Sequence, residues 1–195
     1  MREVTPRRRQ KIVSVLSRRQ KDLTLIIDNI HDPHNVSAIL RSCDAFGVHK
    51  IHLYYTSEEF PKLGRKSSAS AIKWVEREKH SNAKDMVSAL RSQGFQIIGT
   101  GFSERARPID RWDLTLPSAI ILGNEHRGIS PELSKLVDDE LYIPMHGMVE
   151  SFNVSVAAAI ILYESWRQRS LKGMYDQPSF TQDELNNLIE LWCNK

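Results

Sequence analysis

Residues 143–161 read IPMHGMVESFNVSVAAAII, and two unlike patterns meet inside them. The stretch begins as a short strand that Pro144 must stop, passes a turn at Gly147, and becomes a helix built almost wholly of Val, Ala and Ile. At the junction stands Ser151-Phe152-Asn153, two small polar residues around an aromatic, where a helix N-cap belongs. Polar side chains at the mouth of the most apolar helix raise the question of what they face.

Upstream, the chain alternates between two hydrophobic periods. Strand-like runs occur at 23–27, 50–55, 72–76, 95–100, 119–122 and 141–143, with helical patterns at 37–46, 83–92 and 131–137 and a long helix from 154 to about 171. This alternation predicts an α/β domain, a mostly parallel sheet with helices on both faces. In such sheets ligands bind beyond the carboxyl ends of the strands. Those ends here are rich in Gly and small polar residues: His31-Asp32-Pro33-His34-Asn35, Gly99-Thr100-Gly101, Gly123-Asn124-Glu125, and the opening stretch. Gly173 and Pro178 then mark a break, and Thr181 with Glu184 reads as a capping box for a last helix with Leu185, Leu188, Ile189 and Trp192 on one face.

The 195 residues, 41% of them hydrophobic, suffice for one core with short terminal additions. No charge interrupts 151–163, but those thirteen residues fall short of the roughly 20 that span a bilayer. The Arg-rich first residues lack the apolar region of a secretory signal, and Cys43 and Cys193 form no disulfide or zinc pattern, so a cytoplasmic location is expected. The net charge of +3 hides an asymmetry. Residues 1–21 hold eight Lys or Arg against Glu3, leaving 19 basic and 23 acidic groups in the remainder, a net of −4. Thr5 and Pro6 read as N-cap and N1 of a basic helix in which Arg7, Arg8, Arg9, Lys11, Arg18 and Arg19 surround Ile12, Val13 and Leu16. Either this is a solvated face or it grips a polyanion. A membrane surface fits less well, because no Trp or Phe anchors the apolar side.

The familiar single motifs are missing. Gly99-x-Gly101 has no third Gly at Glu104, so a nucleotide-binding reductase lacks its fingerprint, and no Walker loop is present. Of the seven histidines, His49 and His52 are three apart on a strand and face opposite ways, and no H-E-x-x-H occurs; no metal site is expected.

Three blocks taken together are far more specific: Asn35-Val36-Ser37-Ala38-Ile39-Leu40-Arg41, then Leu122-Gly123-Asn124-Glu125-His126-Arg127-Gly128-Ile129-Ser130, then Ile143-Pro144-Met145 through Ser151-Phe152-Asn153-Val154-Ser155-Val156-Ala157. In order and spacing they resemble the three signature motifs of the SPOUT-superfamily RNA ribose 2'-O-methyltransferases. The basic N-terminal segment, the length and the Gly173-Met174-Tyr175 exit from the long helix resemble its TrmH (SpoU) subgroup, whose members methylate the D-loop guanosine at tRNA position 18. The resemblance covers essentially the whole chain.

That resemblance implies a SPOUT fold whose C-terminal strand and helix form a deep trefoil knot, an exception to the rule against knots. It also implies a homodimer, S-adenosylmethionine as cofactor, and tRNA as substrate. The implied organisation is a basic helical extension at 1–20, a catalytic domain at 21–172 and a helical extension at 173–195. By the same resemblance Thr100, Gly123, Ile143 and Phe152 contact the cofactor, Arg41 is the catalytic arginine, and Asn35, Glu125, Ser151 and Asn153 surround the reacting ribose. Phe152 departs from the Leu common in the family. An Arg with a pKa above about 12 is a poor base, so two roles for Arg41 stay open: holding a phosphate of the target nucleotide, or accepting the proton with phosphate assistance. His126, beside Glu125, is an outside candidate for the proton. The arginine-rich segment implies phosphate affinity in RNA. A ribosomal RNA ribose, or a non-catalytic RNA-binding module on the same fold, are the rival readings.

Overall fold

A computed structural model describes residues 4–63 and 71–195; residues 1–3 of the basic segment lie outside it. Seven strands form one sheet: β1 Leu23–Asp28, β2 Lys50–Tyr54, β3 Glu76–His80, β4 Gln96–Thr100, β5 Arg107–Pro108, β6 Ser118–Leu122 and β7 Asp139–Tyr142. Their order is β3-β2-β1-β6-β4-β7-β5, and every neighbouring pair is parallel. The expected mostly parallel sheet is therefore parallel throughout. Its central strands bury both faces, which is why β1 and β6 are apolar or nearly so along their length.

Alternation along the strands divides the core in two. Leu25, Ile27, Ile51, Leu53, Ile120 and Leu122 pack against α2 Pro33–Ala45 and α5 Val154–Leu171. Ile26, Tyr54, Ile97, Ala119 and Ile121 pack on the other face against α3 Ala83–Ser92 and the short α4 Pro131–Ser134. The two terminal helices join each other. Ile12 and Leu16 of α1 Pro6–Leu16 meet Leu185, Ile189 and Trp192 of α6 Gln182–Cys193, whose capping box is formed.

Three expectations need correction. The run 72–76 is not a strand: Ala71–Lys73 is a 3-10 turn that buries Ala71 and Val75 one turn apart, and the strand follows at Glu76–His80. That strand lies at the sheet edge and is wholly polar, so no hydrophobic period announces it. The helix read at 37–46 begins four residues earlier, where Asp32 caps it by accepting from the N–H of His34 at 2.8 Å and Pro33 takes the first turn. The helix at 131–137 stops at Ser134.

Candidate active site at the strand ends

The carboxyl ends of β1, β4, β6 and β7 converge, and the loops leaving them are stitched by side chains. Asn29 leaves β1 with φ 50°, in the left-handed region that Asn tolerates. Its Oδ1 accepts from the backbone N–H groups of Thr56, Ser57 and Glu58 at 3.0–3.1 Å, tying the exit of β2 to that of β1. Asn124 after β6 donates to the carbonyl of Asn29 at 2.6 Å and accepts from the N–H groups of His126 and Arg127. Its backbone bridges Gly128 in both directions at 2.9 Å. The loop turns so tightly that a Cβ on Gly123 would lie 2.3 Å from the backbone carbon of Gly128.

Between these loops and the start of α5 lies a cavity of about 510 Å³, within the size range of small-ligand sites. Leu122, Leu141, Ile143, Ala157 and Ile161 give it an apolar floor, and Thr100, Gly123, Glu125, Ser151 and Asn153 line it as well, with Phe152 at the mouth. The polar residues of the opening stretch thus face a cavity. Thr100 spends its hydroxyl on the carbonyl of Ile121 at 2.8 Å, so it presents backbone and methyl to a ligand.

One hydrogen-bonded chain runs along the polar side. Asn153 caps α5 by accepting from the N–H of Ser155 at 2.9 Å, and its Nδ2 donates to Asn35 Oδ1 at 3.0 Å. Asn35 Nδ2 donates in turn to Glu125 Oε1 at 2.9 Å. Glu125 also receives the backbone N–H groups of His31 and Asp32. Burial alone raises the Glu125 pKa, but the donors from Asn35, His31 and Asp32 outweigh it and hold the carboxyl below its usual range. Glu125 is an ionised orienting group with little appetite for a proton.

Asn35, Glu125, Ser151 and Asn153 are therefore brought together with Thr100, Gly123, Ile143 and Phe152. Arg41 is not. It sits on the exposed side of α2, about 9 Å along the helix axis from Asn35 at about 1.5 Å per residue, outside the cavity lining. His126 is exposed in its turn and does not line the cavity either. In the basic segment Arg7, Arg8 and Lys11 are exposed, Arg9 pairs with Glu190 at 3.0 Å, and Arg18 bonds to Ser14 at 2.7 Å.

Arg19 corrects the expectation of a phosphate contact. It is fully buried, donating to the carbonyl of Val48 at 2.7 Å, paired with Asp44, and set 5.3 Å from the Trp192 ring. It anchors the end of α1 to the core. Asp28 and Asn29 escaped the sequence reading, and Asn124 was read only as part of a motif block, although all three hold the loops of the site. Asp28, fully buried, accepts from the N–H of Ser130 at 2.6 Å. A polar residue closing an otherwise apolar strand was the available signal.

A model of the SpoU rRNA Methylase family matches residues 22–163. A tRNA (guanosine(18)-2'-O)-methyltransferase of Thermus thermophilus is 42% identical over 195 residues, the whole of both chains. Among solved structures, the Aquifex aeolicus TrmH/SpoU tRNA modifying enzyme superposes with a TM-score of 0.90 at 39% identity, covering 96% of this chain and 95% of that one. The SpoU methyltransferase AviRb of Streptomyces viridochromogenes, in complex with AdoMet, gives 0.65 at 30% identity, over 78% of this chain and 62% of that one.

Proposed function

The chain belongs to the SpoU rRNA Methylase family, and from that premise we propose that it transfers a methyl group from S-adenosylmethionine to the ribose 2'-OH of guanosine 18 in the tRNA D-loop. The observation that carries this reading is the hydrogen-bonded chain Asn153–Asn35–Glu125 beside a cavity floored by apolar residues. The residues fit such a cofactor: Leu122, Leu141, Ile143, Ala157 and Ile161 would hold the apolar faces of an adenosine, and Glu125, Ser151 and Asn153 supply polar groups in the same cavity.

The cofactor supplies an already activated methyl, so the chain must align an oxygen and assist departure of its proton. Asn35 is held at both ends of its amide and so couples the position of Glu125 to that of Asn153. Ser151 and Asn153 stand at the cavity mouth to receive the ribose. Glu125, saturated with donors, orients rather than accepts the proton. Arg41, on α2, holds a phosphate of the target nucleotide and so orients the ribose toward the cavity.

Several finer features belong to the same reading. A deep trefoil knot is supported by β7 entering between β4 and β5 and leading directly into the cavity wall and α5. A homodimer is supported by the exposed Val156, Tyr163, Trp166 and Leu171 of α5 and by Met148 and Val149 beside the cavity. The division into a basic extension at 1–20, a catalytic domain at 21–172 and an extension at 173–195 is supported by the separate α1–α6 cluster. A cytoplasmic location follows from the proposed substrate. Among the described residues no helix is long and apolar enough to cross a membrane, and both cysteines are free.

Incubation with unmodified tRNA transcript and methyl-labelled cofactor, followed by digestion and mass spectrometry, is expected to place one methyl on the ribose of guanosine 18. A ribose label elsewhere, or transfer to ribosomal RNA alone, overturns the tRNA assignment; a label on a base overturns ribose chemistry.

The basic helix makes a separate prediction. Because Ile12 and Leu16 hold α1 on α6, the clean variant changes only Arg7, Arg8 and Lys11 to Ala. Every phosphate that a side chain ceases to neutralise flattens the dependence of log affinity on log salt by about 0.7 to 0.9, so the triple variant should reduce the slope by about 2 to 3. Cofactor affinity stays put. An unchanged slope assigns these side chains to solvent.

A further inference from the structure

A second cluster lies away from the methyl-transfer cavity, on the face of the sheet that carries α3 and α4. The β2–β3 register pairs Lys50 with Glu76, His52 with Glu78 and Tyr54 with His80, so these residues share one face of the edge ladder. His52 Nδ1 lies 2.9 Å from His80 Nε2, and Glu78 Oε1 lies 3.7 Å from the same His80 nitrogen. One ligand atom from each of the three falls within 4.8 Å of the others. We propose that His52, Glu78 and His80 form a binding site for a divalent transition-metal ion of the zinc class, with a fourth position left to water.

The chemistry of the donors fits. Two imidazoles and one carboxylate is a borderline set that suits Zn²⁺ and its neighbours rather than Mg²⁺ or Ca²⁺. Tetrahedral bonds of about 2.0–2.1 Å place ligand nitrogens about 3.3 Å apart, a few tenths of an ångström more than the present separation. The opening falls to His80, which is only half-buried, while His52 is 8% exposed and held by the sheet. His52 Nδ1 and His80 Nε2 already face each other across one hydrogen bond, and an ion bound between them replaces the proton they share.

The surrounding charge is compatible with a dication. Lys50 lies 3.1 Å from Glu78 Oε2 and 3.3 Å from Glu76 Oε1, which leaves Glu78 Oε1 for the metal. With both imidazoles neutral, Lys50, Glu76 and Glu78 sum to one negative charge. Arg77 and Lys79 point to the opposite face by strand alternation. None of the three ligands lines the methyl-transfer cavity. The ion would clamp β3, which within the sheet is paired only to β2, and so couple edge-strand order to metal supply.

The test uses untagged full-length protein stripped by chelator. Titration with zinc chloride alone, followed by calorimetry, should show one saturable site per chain and a rise in melting temperature; cobalt chloride should give visible d–d absorption of low-symmetry coordination. His80→Ala and Glu78→Gln, both at residues that are not fully buried, should lose the saturable site and the thermal rise while keeping the parent circular dichroism. His146→Ala, in a loop elsewhere, should keep both. Absence of saturable zinc binding to the parent overturns the proposal, as does parent-like binding in His80→Ala and Glu78→Gln, which would put the ion on other histidines.

Discussion

Replacing Arg41 by Ala is expected to cut methyl transfer by about a thousandfold or more, close to about 4 kcal/mol of transition-state stabilisation, with S-adenosylmethionine affinity nearly unchanged. Arg41 is exposed on α2, outside the cavity, and no intramolecular hydrogen bond or ion pair engages its guanidinium among the described residues. The fold therefore loses almost nothing when the side chain goes, and whatever is lost belongs to the substrate. Arg41→Lys should recover only part, because an ammonium replaces the charge but not the planar fork that grips a phosphate. Single-turnover methylation and calorimetry on the same samples decide the matter. Activity within about tenfold of the parent, about 1.4 kcal/mol, would remove Arg41 from the mechanism.

The second large effect concerns stability. Arg169, near the end of α5, is fully buried and ion-paired with Asp22. It also donates to the carbonyls of Leu114, Leu116 and Asp22 and to Gln20, at 2.9–3.2 Å. One guanidinium thus joins the segments entering β1 and β6 to the last long helix. Arg169→Ala leaves the Asp22 carboxylate and several carbonyls without partners, and should cost about 3–5 kcal/mol. Denaturant titration should show a lower midpoint with an unchanged slope. A loss below about 1 kcal/mol, the value of an exposed pair, would mean that water satisfies these groups.

How much could be read in advance depended on whether a residue's role was local. Asn82, Asn153 and Thr181 cap the helices that begin after them, so those starts were legible. The buried strands announced themselves by apolar content. The edge strand Glu76–His80 did not, because its only partner is β2 and none of its side chains is buried in the core. Arg19 and Arg169 were illegible for a related reason: an Arg inside reads like an Arg outside until the carbonyls that receive it are assembled. In the site, the three blocks located Asn35, Glu125 and Asn153, but composition and period could not say that they touch. Asn35 lies 90 residues from Glu125 and 118 from Asn153, so their contact is a property of the completed sheet. The His52–His80 contact likewise required the β2–β3 register.

The two borders of the sheet constrain how copies of this chain can meet. One border is Glu-Arg-Glu-Lys-His, four formal charges in five residues on an exposed ribbon; the other is the dipeptide Arg107-Pro108, too short to template a neighbour and lacking one amide donor. Both are features that block strand-to-strand extension. Among the described residues, neither border offers a second chain a favourable strand to pair with. Association between copies is thereby steered toward helix surfaces, of which α5 exposes Tyr163 and Trp166.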